Sequence, residues 1–207
     1  MGFGLCAFGY MLLMLEHLGL NVFGYALISM GFYGVASELK AYKGYKIAAI
    51  CAAASIPFAL VDLYNTLQPI VGLTEIPKEL LAVKGIALAI LATVISFAHG
   101  NSTARIAADG GATVFSMRAR ITAYLTALYM AIKIGESFSS SGMEVVVMVG
   151  LYVVMFLNAW LLFTCFTTIT TQRRAKIEAE IIKQETEQLT RKKLLKKHGK
   201  KDDGDEA

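Results

Sequence analysis

Residues 45–67 read YKIAAICAAASIPFALVDLYNTL. From Ile47 to Leu67 the run is apolar, except for a few polar residues gathered mostly toward its end, and Asp62 is the one acid among them. A helix needs about 17–25 predominantly apolar residues to cross a bilayer core. The run has that length, so it predicts a membrane-spanning helix. Asp62 then becomes the residue to explain, because a charge within a span usually pairs with another charge or faces a water-filled cavity.

The same pattern extends over most of the chain. Of 207 residues 56% are hydrophobic, and the mean hydropathy is +0.54. Soluble domains average about 45–50% apolar. Run lengths predict about six spans: near Phe3–Leu18, Asn21–Ser37, Ile47–Leu67, Leu80–Ala98, Ile121–Gly135 and Val145–Thr171. The fold class expected is therefore all-α, a polytopic membrane helix bundle over residues 1–171. The first run is barely long enough, so a re-entrant first segment with five crossings is the alternative. MGFGLCAFGYMLLMLEHLG has neither a basic start nor an A-x-A-like cleavage site, and is read as a retained span.

Lysine and arginine set the orientation. Lys40, Lys43 and Lys46 fall between the second and third runs, and Arg105, Arg118 and Arg120 between the fourth and fifth. The chain after Thr171 is also basic, whereas the other connections are acidic or neutral. This alternation predicts a multi-pass protein of the cell membrane with both termini in the cytoplasm. Residues 172–207 are expected to form a cytosolic tail that begins as a helix, being rich in helix formers, and ends in a disordered DDGDEA. Its RKKLLKKHGKK block suits anionic lipid head groups, and the tail offers a place for a partner subunit. The lipid bilayer is the surround implied; no feature points to nucleic acid.

Small residues at four-residue spacing let helix backbones approach. Gly24, Gly31 and Gly34 lie near one face of the second run, and Ala48 with Ala52, Ala49 with Ala53, and Gly85 with Ala89 repeat the spacing. Cys6, Cys51 and Cys165 stand far apart and read as small buried hydrophobes, and no Cys/His spacing suggests a metal. Nor is there a Ser/His/Asp set, an HExxH, a P-loop or a dinucleotide turn, so no enzyme and no cofactor is expected. His99 is expected beyond the end of the fourth run, on the cytoplasmic side. Asn158 reads as a hydrogen-bonding bridge between helices and Trp160 as internal packing.

Helical rise gives the charges a depth. At about 1.5 Å per residue Asp62 lies about 23 Å above Ile47, in a core about 30 Å thick. Lys84 lies about 6 Å below Leu80 on the descending fourth run. The two therefore reach similar depth on consecutive antiparallel helices and can pair. Glu16 and His17 close the first run, Lys133 and Glu136 the fifth, and Asn65 joins this level with Tyr64 and Asn21. The candidate ligand-binding set is Asp62, Lys84, Glu16, His17, Lys133, Glu136 and Asn65. Snorkelling to the interface is the plainer role for those nearest helix ends, but the short side chain of Asp62 cannot reach far.

The function expected is binding or transport of a small solute or ion through this outward-facing polar cluster. The alternative is a non-transporting sensor, scaffold or assembly partner acting through the basic tail. In size, span count and outward placement of its polar groups, the chain resembles the substrate-binding subunits of energy-coupling-factor transporters. That likeness is one of architecture alone, and LCAFGYML does not carry the small-residue motif of their first helix.

Overall fold

The computed structural model describes residues 2–72, 74, 76–138 and 145–168, and among them all regular structure is helical. The order is α1 (Phe3–Leu13), a 3-10 turn (Glu16–Leu18), α2 (Asn21–Glu38), α3 (Gly44–Val71), α4 (Lys78–Asp109) and α5 (Thr113–Phe138). The helix Val145–Thr168, here α6, follows. Met1–Phe166 forms one compact unit. The expected tail, residues 172–207, lies outside the described residues.

Three of the helices, α3, α4 and α6, are long and apolar enough to cross a membrane, with 28, 32 and 24 residues. α1 is not: its 11 residues reach only about 16 Å. The expected first span breaks at Met14, where the chain tightens into the 3-10 turn and reverses at Gly19, whose φ of 71° a side chain would disfavour.

Helices run beyond the apolar stretches that announce them. α4 does not stop at Ala98 but continues through Asn101, Ser102 and Arg105 to Asp109. Apolar run length marks how much of a helix could sit in hydrocarbon, and says nothing of polar turns added at its end. The connection to α5 is confined to Gly110, Gly111 and Ala112, with Gly111 at a φ of 77°. At this end the Tyr42 hydroxyl donates to the Asp109 carboxylate at 2.6 Å, tying the α2–α3 connection to the end of α4. That bond holds the Tyr42 pKa above its usual value.

Consecutive helices pack in order from α1 to α5. α1 and α2 touch through glycine: a Cβ on Gly9 would lie 2.8 Å from the Gly24 carbonyl oxygen, and one on Gly31 2.6 Å from the Gly2 oxygen. α1 therefore starts beside Gly31, near the basic end of α2, and rises along it. The buried face of α3 is Tyr45, Ala48, Ala49, Ala52, Ser55 and Ala59, small except for its first member. Such faces bring backbones close and leave little room for bulky apolar cores. Gly85 departs from the expected packing role, because a Cβ there meets nothing within 4 Å.

Bulky apolar side chains stand on the outside instead. Phe8 on α1, Met30 on α2, Ile50 on α3, Ile90 on α4, Leu128 on α5 and Phe156 on α6 are each at least half exposed. Trp160 is among them at 59%, stacked on Phe156, and not packed inside as the sequence suggests. α6 is the most enclosed of the three long apolar helices, with 44% of its most apolar stretch buried against 28% and 22% for α3 and α4.

Candidate functional site

Asp62 sits on α3 nine residues before its end, and Lys84 six residues into α4. Their side chains face each other across the helix pair and form an ion pair. Both are largely buried, Lys84 at 15% and Asp62 at 22% exposure. Asn21, the first residue of α2, completes the group: its Nδ2 donates to Asp62 Oδ2 at 2.6 Å. An ionised carboxylate only accepts, so this contact fixes the amide with nitrogen toward Asp62. Asn21 Oδ1 is then left buried with no hydrogen-bond partner.

A second pair lies opposite. Lys133 on α5 approaches Glu16 of the 3-10 turn at 3.6 Å, each about one-third exposed. The two pairs border one cavity of about 340 Å³. Asn65 and Thr66 of α3 reach its wall, and Tyr25 of α2 closes one side. Below the charges the lining turns apolar, with Leu13, Leu88, Met130, Leu151 and Met155. Gly85 faces the same space, followed on α4 by Leu88, Ala89 and Ala92. These positions share one helix face, and the missing side chain at Gly85 leaves room between the charges and the apolar floor.

Five of the seven candidate residues thus surround one cavity: Asp62, Lys84, Glu16, Lys133 and Asn65. The side chains of His17 and Glu136 lie outside the described residues. Tyr64 turns to the α3–α4 connection and donates to the Thr74 carbonyl. Among the described residues no group of three or more His, Cys, Asp or Glu side chains is placed to hold a metal ion.

One turn deeper lies a polar layer built on Asn158, which bridges helices as the sequence suggests, and on His99, which run length alone places elsewhere. Asn158 of α6 is fully buried, and its Nδ2 donates to Val154 O at 2.8 Å and to Thr126 Oγ1 of α5 at 2.9 Å. Thr126 can accept because its own hydroxyl is given to Thr122 O. These bonds orient the amide, so Oδ1 accepts from Ser96 at 3.5 Å and from His99 Nε2 at 3.1 Å, both on α4. His99 must therefore carry its proton on Nε2. Tyr10 Oη of α1 lies 3.3 Å from the same nitrogen. His99 Nδ1 is buried without a partner, and the ring stacks on Phe32 of α2 at 5.2 Å. His99 is thus not beyond the end of a span, as expected, but wholly inside the bundle. Because α4 continues past Ala98, His99 lands at a core position. A signal existed in the sequence: Ser96 and His99 are three residues apart and share a helix face.

No protein-family model, curated protein or solved structure matches the chain.

Asn158 uses both donors and both acceptor sites; one bond stays within α6 and the other three reach α4 and α5. Replacing it by leucine takes the acceptor from Ser96 and leaves His99 Nε2 only the more distant Tyr10 Oη. Asn158→Leu is expected to lower unfolding stability by about 1–2 kcal/mol. Thr93→Val, which removes only a bond to Ala89 within its own helix, should change it by less than about 0.5 kcal/mol. Unfolding of the purified protein in mixed micelles measures both.

Proposed function

We propose that the protein is a multi-pass membrane helix bundle that binds a small solute or ion in the cavity between Asp62–Lys84 and Glu16–Lys133, and carries it across. Its six helices all cross, with both termini on the cytoplasmic side and the cavity opening on the other. In this reading the short α1 crosses a locally thinned bilayer.

The observation that carries the binding role is the cavity itself: four charged side chains from α3, α4, α5 and the 3-10 turn around a space of about 340 Å³. Helix pairing alone does not require that space. A contact that served only to join α3 to α4 would be as stable, or more so, if packed apolar side chains took the place of the ion pair. Gly85 and Ala92 keep the adjoining wall small instead. The membrane setting is supported by the exterior, since α1, α2 and α5 also turn large apolar side chains outward: Phe8, Phe23 and Tyr124 are each more than half exposed. A water-soluble protein rarely leaves so much contiguous apolar surface uncovered. The orientation rests on the basic residues Lys40, Lys43, Arg105 and Arg118, which collect at the end opposite the cavity. A second, more open hollow of about 630 Å³ runs between α3 and α4 from Thr93 and Val94 to Lys43 and Arg105.

Gly85→Phe tests the binding role, because Gly85 lines the cavity and a Cβ there meets nothing within 4 Å, so the new ring can fill that space. The variant is expected to keep the wild-type melting temperature within a few degrees. It should also lose the thermal stabilisation that salts or dialysable small-molecule fractions give the wild type. Equal stabilisation of both proteins, or none of the wild type by any fraction, would contradict the reading. The orientation is tested separately by reporter fusions at Ser140 and Ala207, expected on opposite sides of the membrane. Fusions that report the same side would refute six crossings.

A further inference from the structure

Resting on the cavity reading above, we infer that the solute is a zwitterion, an α-amino acid with an apolar side chain, held by its ammonium and carboxylate at the Asn21–Asp62–Lys84 group.

The first argument is net charge. Among the described residues Glu16 and Asp62 are balanced by Lys84 and Lys133, so the charged side chains lining the cavity sum to zero. A cation or an anion entering would add a charge without a counterpart where desolvation is costly. A zwitterion leaves the balance at zero while offering both signs to the site. The second argument is the arrangement of unused hydrogen-bonding groups. Asn21 is 3% exposed, lines the cavity and has Oδ1 unpartnered, so it needs a donor. The Lys84 ammonium has three N–H groups, and its described bond to Asp62 uses one. Asp62 lies between the two, accepting from Asn21 on one oxygen and from Lys84 on the other. Its neighbours therefore present an acceptor on one side and donors on the other. An ammonium meets the carboxylate of Asp62 and reaches Asn21 Oδ1, which is closed from solvent in this structure, by a small turn of that amide, while a carboxylate one carbon away meets Lys84. The third argument is the floor. Leu88 lies one turn below Lys84 on α4, and Met130 and Met155 close the space beneath. Methionine side chains adapt to varied apolar shapes, which suits an aliphatic group directed away from the charged rim.

The test uses the purified full-length protein in detergent and three probes that share one carbon skeleton: L-leucine, isoamylamine, which lacks the carboxylate, and 4-methylpentanoate, which lacks the ammonium. Binding is measured by titration calorimetry with thermal stabilisation alongside. Leucine is expected to bind at least tenfold more tightly than either half-molecule. Asn21→Leu should remove most of that preference over 4-methylpentanoate, and Gly85→Phe should abolish leucine binding. Amine or acid binding as tightly as leucine, lost in Gly85→Phe, would overturn the zwitterion and leave the cavity reading standing. No binding of leucine would also overturn the zwitterion, and the salt and small-molecule fractions would then judge the cavity on their own.

Discussion

A carboxylate and an ammonium buried against each other between two helices constrain everything around them. Asp62 and Lys84 come from α3 and α4, and neither helix can slide or turn without separating them. Asn21 adds α2 to the same group through the second oxygen of Asp62. One carboxylate thus sets the relative height of three helices. The arrangement also explains why the bundle does not close at this end. Charged groups retain some contact with solvent because full burial costs more than their mutual attraction returns, and the cavity supplies that contact.

Below this group the bundle is held by a different chemistry. Large apolar side chains such as Phe8, Ile90 and Trp160 face outward, so the interior depends on close backbones and hydrogen bonds. Glycine and alanine faces bring α1, α2 and α3 together. Asn158 then bonds α6 to α4 and α5, with every polar site of its amide in use. A further bond, Tyr45 Oη with Thr103 Oγ1 at 2.9 Å, repeats the device nearer the basic end. The polar groups stand in layers, each tying a different set of helices. With the Asn158 amide fully bonded, such a layer specifies one arrangement where apolar packing alone would permit several, although His99 Nδ1 has no partner.

The sequence made the charged cluster legible for a simple reason. Helical rise is nearly constant, so position along an apolar run converts to height, and residues at equal height on antiparallel neighbours can meet. That arithmetic put Asp62 with Lys84, and Glu16 and Lys133 near them. It did not find His99, because the arithmetic took the end of an apolar run for the end of a helix. A histidine at the border of the run then read as a surface residue, although α4 carries it inside. Trp160 failed for the converse reason: position in a run gives height but not the direction a side chain faces. Gly85 failed because small-residue spacing describes both a tight helix contact and an open cavity wall, and only the neighbours distinguish them.

The dependence of the bundle on the Asp62–Lys84 pair is open to one direct measurement, a double-mutant cycle with Asp62→Ala, Lys84→Ala and the combined variant, followed by unfolding of the purified protein. Each single change leaves a charge buried without its partner, and removing both takes that penalty away. The double variant should therefore be more stable than the sum of the single losses requires, by at least about 1 kcal/mol. Single losses that add to within about 0.5 kcal/mol would show that the two side chains are not coupled and would remove the pair from its central place.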